Sequence, residues 1–441
     1  MTKVLLVQPV EYRRYYNSNP DYKRYFSREL GLLQLASFLE QNNVECKLIP
    51  GHYKKEDFYK ILKKEVKKYN IIATTCLTPE YNIACDILKF AKQINQNIKT
   101  VIGGHHVTWL DKEVLKNSFI DIVVKGEGEQ TFLDIVNNKK DIKGISYKKN
   151  NQIKTTENQK SLHIIPKLNN NILKEYNKTI KKSDIKFFQF NYTSTRGCPY
   201  NCSFCTEPLY WGNRVRYKDI NHVREEIDTI LDNKKCKRIF FMDSNFTINQ
   251  KYVKQFCKEI KSNTSFKCYT KINYYPKEIA NLLKKAGFDV VHFGVEHFNK
   301  DIQKSINKVN SLSDIKKTLK NAKEGNQKTG IYIVVGLPGD NVERAKYNYK
   351  LTQELVKENL LDEVIPFIFI PYPGTDQFKN PNKYKLNILT KDFSKYSRTH
   401  QPIISYKNFT NDEIELMFRL FTDYAYELSL KNPHTSMFSE P

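Results

Sequence analysis

Three cysteines stand within eight positions, in Cys198-Pro199-Tyr200-Asn201-Cys202-Ser203-Phe204-Cys205. Three thiolates on one tight loop can clasp three irons of a cubane iron–sulfur cluster. The fourth iron is then left without a protein ligand, open to a small molecule. Gly197 and Pro199 suit a loop that must turn sharply around such a cluster. Two other readings compete. A structural zinc closes with four ligands, usually as Cys pairs, and no second Cys or Cys–His pair of suitable spacing lies nearby. Three incidental cysteines are the other reading, and the density of the triplet argues against it. The remaining six, Cys46, Cys76, Cys85, Cys236, Cys257 and Cys268, are spread singly and read as buried small hydrophobes.

A second set of residues lies in the first third of the chain. Val101-Ile102-Gly103-Gly104-His105-His106-Val107-Thr108 and Val123-Val124-Lys125-Gly126-Glu127-Gly128-Glu129 each begin in an apolar run and end in small or polar residues, and Thr74-Thr75-Cys76-Leu77-Thr78 ends the strand expected before them. Three such loops at consecutive strand ends of one sheet make a ligand crevice, and adjacent glycines let a ligand approach the backbone. On the residues alone the ligand is nucleotide-like and otherwise unspecified.

The elements that must position these loops follow from periodicity. Apolar runs at 3–7, 45–49, 71–75, 100–102 and 121–124 alternate with helical spacings: Leu30, Leu33, Ala36 and Leu39; Phe58, Ile61, Leu62 and Val66; Ile83, Ile87, Leu88 and Ala91. That alternation predicts a parallel sheet with helices on both faces. Residues 146–187, rich in Asn and Lys, read as a linker with a short hairpin at its start, 145–147 with 153–155. Strands are then expected at 188–193, 238–242, 266–271, 290–294, 330–335 and 363–370, the first five each followed by a helical pattern. Six βα units predict a barrel or part-barrel with its site at the carboxyl ends of the strands. A C-terminal region, 376–441, closes with a helix expected over 411–428, capped near Thr410 or Asn411. The domains are thus expected at 1–145 and 188–375, with the linker and the C-terminal region after each.

Composition narrows the classes. The 441 residues exceed one ordinary core, and 40% hydrophobic residues argue against disorder. No stretch is long and apolar enough to span a membrane. The opening MTKVLLVQPV reads as a buried first strand rather than a signal peptide, and an odd nine cysteines fit the reducing cytoplasm. The net charge is +24, with lysines scattered among Asn and Ile. No dense basic stripe is interleaved with stacking aromatics, so nucleic acid is not the expected partner, whereas an anionic substrate or cofactor tail is compatible.

The spacing C-x-x-x-C-x-x-C, with the aromatic Phe204 before the third cysteine, resembles the signature of the radical S-adenosylmethionine (SAM) superfamily. The resemblance implies a [4Fe–4S] cluster on Cys198, Cys202 and Cys205, with SAM chelating the open iron through its amine and carboxylate. An electron from an external donor then cleaves SAM to methionine and a 5′-deoxyadenosyl radical, which abstracts hydrogen from substrate. Four further segments match in order. Phe240-Phe241-Met242-Asp243-Ser244-Asn245-Phe246 resembles a strand-end DDNF motif with Ser244 in place of the second Asp. Gly294-Val295-Glu296-His297 resembles GxES, with His297 for Ser. Gly336-Leu337-Pro338-Gly339-Asp340 resembles GLPGE, and Pro371-Tyr372-Pro373-Gly374-Thr375 resembles PYPGT. The SAM contacts so implied are Phe204, Asp243, Asn245, Glu296, Gly336, Leu337 and Pro338. Taken singly, these are strand ends and Pro/Gly turns. Arg214 and Arg216 follow the cysteine loop where the family often carries Arg; each is either near the active site or a solvated charge.

The set GGxHxT and GEGE upstream resembles the cobalamin-binding domain of B12-dependent radical SAM enzymes. It implies cobalamin contacts at Thr75, Thr78, Gly103, Gly104, His106, Thr108, Gly126, Glu127, Gly128 and Glu129. Gly31-Leu32-Leu33-Gln34-Leu35-Ala36 fits the family's first helix, with Leu30 for the usual Pro and Pro50 for the usual Asp. His52, in Pro50-Gly51-His52-Tyr53-Lys54-Lys55, lacks the D-x-H-x-x-G context, so cobalamin is expected without a protein His from that motif. His105 and His106 are candidate ligands, and His106 is expected as a hydrogen-bonding loop residue at the corrin edge. The implied fold is a Rossmann-like cobalamin-binding domain, a radical SAM (β/α)6 partial TIM barrel and a small mainly helical C-terminal region. The implied activity is C-methylation of a substrate radical from methylcobalamin. Radical rearrangement or cyclisation with the same cofactors, and a cluster protein without SAM turnover, stand as alternatives. The substrate is expected to be a small molecule or peptide, and no catalytic acid or base is assigned.

Overall fold

The computed structural model describes residues 2–9, 24–27, 29–150 and 152–431. Residues 10–23 of the expected first domain and 432–441 of the expected C-terminal region lie outside the described residues. Contacts divide the chain into two compact units, Met1–Asn191 with Arg216–Lys237, and Tyr192–Val215 with Arg238–Pro441.

The first sheet is built from β1 (Val4–Val7), β3 (Cys46–Ile49), β4 (Ile71–Thr75), β5 (Lys99–Gly103), β6 (Ile122–Val124), β7 (Ile145–Lys149) and β8 (Gln152–Thr155), with a short β2 (Arg24–Phe26) elsewhere. Its order is β3-β1-β4-β5-β6-β7-β8. The five strands to β6 pair in parallel, and the β7–β8 hairpin extends them antiparallel. The two-residue period of β1 explains the layers. Leu5 and Val7 point into a core with Phe58 and Leu62 of helix Lys55–Val66 and Ile87 and Leu88 of helix Tyr81–Ile94. Val4 and Leu6 point the other way, onto Ala36 and Leu39 of helix Leu30–Gln41 and Phe132 of helix Glu129–Val136. Because β1, β3, β4, β5 and β6 pair in parallel, their carboxyl ends share one edge, which gathers the glycine loops. The expected linker holds, besides the hairpin, the helix Asn170–Lys182. Asn169 caps it by accepting from Asn171 N, and Leu173, Tyr176, Asn177 and Ile180 form its buried stripe.

The second sheet runs through β9 (Phe187–Tyr192), β10 (Cys236–Phe241), β11 (Ser265–Thr270), β12 (Phe288–Glu296), β13 (Lys328–Val335) and β14 (Glu363–Ile368). Its order is β14-β13-β12-β11-β10-β9-β2, a six-strand parallel half-barrel plus the short β2. Amphipathic helices Gln250–Glu259, Lys277–Ala286, Leu312–Glu324 and Val342–Lys357 follow β10 to β13. The closing helix Asn411–Lys431 packs on β14. It opens with a reciprocal capping box: Thr410 N donates to Glu413 Oε2 at 2.7 Å and Glu413 N to Thr410 Oγ1 at 3.3 Å. No helix among the described residues is long and apolar enough to cross a membrane.

Candidate active site

The cysteine loop leaves the end of β9 through Gly197, whose φ of +100° is open to glycine. A Cβ there would also run into the carbonyl of Arg214. The loop is pinned from both sides. Cys198 N donates to Gly212 O at 3.2 Å, and Ser203 N to Ile306 O at 3.1 Å. Gln377 Nε2, just past the Pro/Gly turn after β14, donates to Ser203 Oγ at 2.9 Å. Cys198, Cys202 and Cys205 are all partly exposed, as is Phe204.

Two buried side chains follow β10. Asp243 Oδ1 accepts from Ser194 N (3.0 Å), Ser194 Oγ (2.9 Å) and Thr195 Oγ1 (2.6 Å), bracing the entry to the cysteine loop. Burial pushes its carboxyl up to about 6, against those hydrogen bonds. Asn245 Oδ1 accepts from Thr270 Oγ1 at 2.5 Å, tying the end of β10 to that of β11. Asp243 Oδ2 and Asn245 Nδ2 have no hydrogen-bond partner among the described residues. Ser244, in the position of the family's second Asp, donates to Glu207 Oε2 at 2.7 Å.

At the end of β12 the backbone is strained. Glu296 has φ +65° in a non-glycine residue, where the pairing with β13 slips between Gly294 and Glu296. Its Oε1 accepts from Lys308 Nζ at 2.7 Å, and both side chains are 9% exposed. His297 is fully buried and 3.4 Å from Asp340 Oδ1. Asp340 shapes the next turn by accepting from Gly336 N at 3.0 Å and Asn341 N at 2.9 Å. Leu337 is buried, and Pro338 O accepts from Ser305 Oγ at 3.1 Å. His297 is thus buried beside the turn that carries Gly336, Leu337 and Pro338, with no hydrogen bond from its Nε2 among the described residues.

Sequence reasoning passed over the inner wall of the half-barrel. Lys267, His292 and Glu363 sit on β11, β12 and β14. Glu363 Oε2 lies 2.9 Å from His292 Nε2 and 3.7 Å from Lys267 Nζ, while His292 Nδ1 is 3.2 Å from the Tyr332 hydroxyl. Burial would raise the Glu363 carboxyl, but Lys267 and His292 overcome it and hold it at about 2. Burial lowers Lys267 to about 8, against Glu363, and His292 to about 4. The local signal was slight: Ser265 and Lys267 alternate on β11, His292 is flanked by apolar residues within β12, and Glu363 is the single polar residue of β14.

In the first unit, the strand-end loops are tied together. Thr108 Oγ1 donates to Gly104 O at 2.8 Å and accepts from Gly126 N at 3.0 Å. Gly104 adopts φ +102°, and a Cβ on it would lie 2.7 Å from Cys76 O, next to Thr75. Gly126 has φ +69°, and a Cβ on it would meet nothing within 4 Å among the described residues. Gly103 ends β5 and accepts from Cys76 N at 3.1 Å; Thr78 is buried. Gly128 precedes helix Glu129–Val136, whose first residue Glu129 is buried. His106 packs its ring 4.5 Å from Tyr81, and burial holds His105 and His106 at about 4. His52 lies against Tyr53, ring centroids 4.6 Å apart. Arg216 forks onto Glu127: Nη1 donates to Oε2 at 2.9 Å and Nη2 to Oε1, while Nη1 also reaches Leu162 O at 2.7 Å.

A parallel half-barrel ending in a three-thiol loop, with a carboxylate, an amide and a strained glutamate at successive strand ends, defines an enzyme class built on an open iron–sulfur cluster. The radical SAM superfamily model matches residues 192–351, and the B12 binding domain model matches residues 24–136. An uncharacterised methyltransferase of Pyrococcus horikoshii is 30% identical over 88% of this chain and 86% of its own length. The chain belongs to the radical SAM superfamily, among the members that carry a B12-binding domain. A bacteriochlorophyllide d C-12(1)-methyltransferase of Chlorobaculum tepidum is 26% identical over 77% of this chain and 71% of its own. An anaerobic magnesium-protoporphyrin IX monomethyl ester cyclase of Cereibacter sphaeroides is 24% identical over 78% of this chain, which spans 58% of the cyclase. The radical SAM methyltransferase TsrM of Kitasatospora setae, solved with cobalamin and [4Fe–4S] bound, shares the fold with a TM-score of 0.71 at 15% identity, over 90% of this chain and 81% of that one.

The cofactors of such an enzyme are a [4Fe–4S] cluster, SAM and cobalamin, and the residues fit them. Among the described residues no three His, Cys, Asp or Glu side chains converge as a single metal ion requires. A cubane asks for something different, one thiolate per iron corner, which a loop of three separated thiols provides. Lys271 and Lys308 lie within electrostatic reach of the thiols, suiting an anionic cluster. The orphaned Asp243 Oδ2 and Asn245 Nδ2 offer a buried acceptor and donor to a polar ligand such as SAM. At Gly126, beside the Thr108 tie, a Cβ would meet nothing within 4 Å among the described residues, which suits the close approach of a bulky flat cofactor.

Proposed function

We propose that the chain is a cobalamin-dependent radical SAM methyltransferase that places a methyl group on an unactivated carbon of a small molecule or peptide. The observation that carries this reading is the pairing, on one chain, of the three-thiol loop with a glycine-lined crevice of the B12-binding kind. The relatives named as methyltransferases favour methyl transfer over the other outcomes. When bound, the cluster with SAM supplies hydrogen-atom abstraction, and cobalamin supplies the methyl group.

The chain's own residues position and enclose. Cys198, Cys202 and Cys205 would hold the cluster, with Asp243 fixing the loop entry through Ser194 and Thr195. Asp243 Oδ2, Asn245 Nδ2 and the backbone of the Gly336–Pro338 turn would line the SAM seat. Glu296 would face it with its charge balanced by Lys308. Gly103, Gly104, Gly126 and Gly128 would let the corrin approach the strand ends, with Thr108 keeping two loops in step. An external protein or reagent would supply the electron.

Radical cyclisation without methyl transfer is the second reading, favoured by the cyclase relatives. One experiment separates the two. The protein is reconstituted anaerobically with iron, sulfide and hydroxocobalamin, then given reductant and SAM. About four irons and one corrin per chain, with both 5′-deoxyadenosine and S-adenosylhomocysteine formed, are expected. Deoxyadenosine without S-adenosylhomocysteine supports cyclisation. A cluster without bound corrin ends the methyltransferase reading.

A further inference from the structure

The inner wall of the half-barrel carries a row of four aromatic rings that the strand-end machinery does not use. Phe240, Tyr269, Tyr332 and Phe367 lie on β10, β11, β13 and β14, at strand positions that stay partly exposed beside buried neighbours. They form a continuous surface: Phe240 to Tyr269 at 5.5 Å, Tyr269 to Tyr332 at 6.1 Å and Tyr332 to Phe367 at 5.4 Å, the last pair stacked within 16°. Gly294, in register with Tyr332, keeps the β12 position between them small and leads directly to Glu296. The row therefore borders the proposed SAM seat. Partly exposed aromatic surface inside a concave sheet is ligand surface, because a core would have covered it.

A cation stands at the end of the row. Arg398 lays its guanidinium over Phe367 at 4.2 Å from the ring centroid. Its own carbonyl accepts from Ile368 N at 2.8 Å, fixing the loop to the end of β14. Among the described residues Arg398 has no carboxylate within ion-pair distance, although its charge is felt at Tyr269, Tyr332 and Glu207. Glu207 is engaged by Ser244. A guanidinium over a ring still presents N–H groups that the ring does not satisfy, and their fork matches a carboxylate or phosphoryl group. Deeper in the barrel, the Lys267 ammonium and the Glu363 carboxylate lie 3.7 Å apart and balance each other, whereas the Arg398 charge has no such partner among the described residues.

The geometry points to this wall as the substrate seat, and to its occupant as an organic anion: a flat unsaturated body lies on the rings and a carboxylate or phosphoryl group takes the edge of Arg398. Calling the occupant a substrate rests on the function proposed above; the recognition chemistry does not.

The test is equilibrium dialysis of the reconstituted holoenzyme against 2-naphthoate, 2-naphthyl phosphate and the neutral 2-naphthamide. The two anions share the chemistry, and whichever is held more tightly identifies the acceptor. At least one anion should bind about ten-fold more tightly than the amide, the step expected for a charge-assisted hydrogen bond. Arg398→Gln should erase that preference while leaving the amide bound, and Tyr332→Leu should weaken all three. Retention of 2-naphthamide by Arg398→Gln shows that the variant still folds. Equal binding of amide and anions to the wild type, a preference that survives Arg398→Gln, or no binding of either anion overturns the inference. If corrin fails to bind while the Arg398-dependent preference is present, the methyltransferase reading falls and this one stands; corrin binding without the preference gives the reverse.

Discussion

Lys308 Nζ lies 2.7 Å from Glu296 Oε1, and this buried pair is built around a missing side chain. A Cβ on Gly294 would collide with the Lys308 ammonium and come within 2.8 Å of Glu296 Oε1. Removing one partner of a buried pair leaves an uncompensated charge and costs about 3–5 kcal/mol. Lys308→Met should therefore lower stability by about 3 kcal/mol, read from urea midpoints, and weaken SAM binding. Gly294→Ala should do the same in direction, because its methyl group displaces the ammonium. A Gly294→Ala variant with wild-type SAM affinity would show that the pair is incidental to the site.

Asp243 separates bracing from ligand contact. Asparagine retains an oxygen for Ser194 and Thr195, whereas alanine removes the acceptor of three hydrogen bonds. Asp243→Ala should lose about 2–3 kcal/mol and much of its iron after reconstitution. Asp243→Asn should keep the iron and lose SAM affinity through the changed Oδ2 position. Equal iron loss in both variants would assign Asp243 to the cluster loop alone.

Most strands were legible because they are short apolar runs, although β2 (Arg24–Phe26) was not expected, and the cysteine triplet was legible because its spacing is local. What the sequence hid lies far apart in the chain. Glu127 and Arg216 are separated by 89 positions, so neither residue announced the other. Arg216 read as an active-site or solvated charge, and the fold makes it a buried clamp. Lys267, His292 and Glu363 come from three strands and meet only when those strands pair. Helix Asn170–Lys182 was obscured by Asn and Lys on its solvent side, although its buried stripe keeps the helical period. Ser244 and His297 depart from the family motifs, and their packing on Glu207 and near Asp340 explains what they do instead.

The inner-wall triad predicts acid lability. His292 is held neutral by burial at about 4, below its usual 6.5, so between those values the unfolded chain binds more protons than the fold. Stability must then fall as pH falls through that window. Glu363, depressed to about 2, adds stability above 4.5 that is lost as pH drops toward 2. His105 and His106, also near 4, contribute in the same direction as His292. The diagnostic quantity is therefore the difference between wild type and His292→Gln in melts of cluster-free protein from pH 7.5 to 4. The variant should lose less stability over that range, by about 2–3 kcal/mol; parallel curves would remove His292 from the account.

Thr108 should govern the corrin crevice through its two hydrogen bonds, to Gly104 O and from Gly126 N. Thr108→Ala releases one loop from the other and should weaken hydroxocobalamin retention about ten-fold, on the scale of one or two hydrogen bonds. Thr108→Ser keeps the hydroxyl and should restore retention. Failure of serine to rescue would mean that the methyl group, not the tie, carries the effect.

Arg216 and Glu127 are 9% and 5% exposed at their side chains, so their bidentate pair works with little solvent screening. Lysine cannot reproduce the fork, and it also loses the bond to Leu162 O. Arg216→Lys should therefore destabilise the first unit, and Arg216→Met should do so more strongly, by about 3–5 kcal/mol, because Glu127 is left buried and charged. A Glu127→Gln change in the Arg216→Met background should recover part of that loss, since the stranded charge is then gone. Urea melts of the wild type, Arg216→Met, Glu127→Gln and the double variant form a double-mutant cycle. Additive losses would mean that the two residues do not act as a pair, and a large coupling would place Glu127 among the groups that hold the crevice in shape.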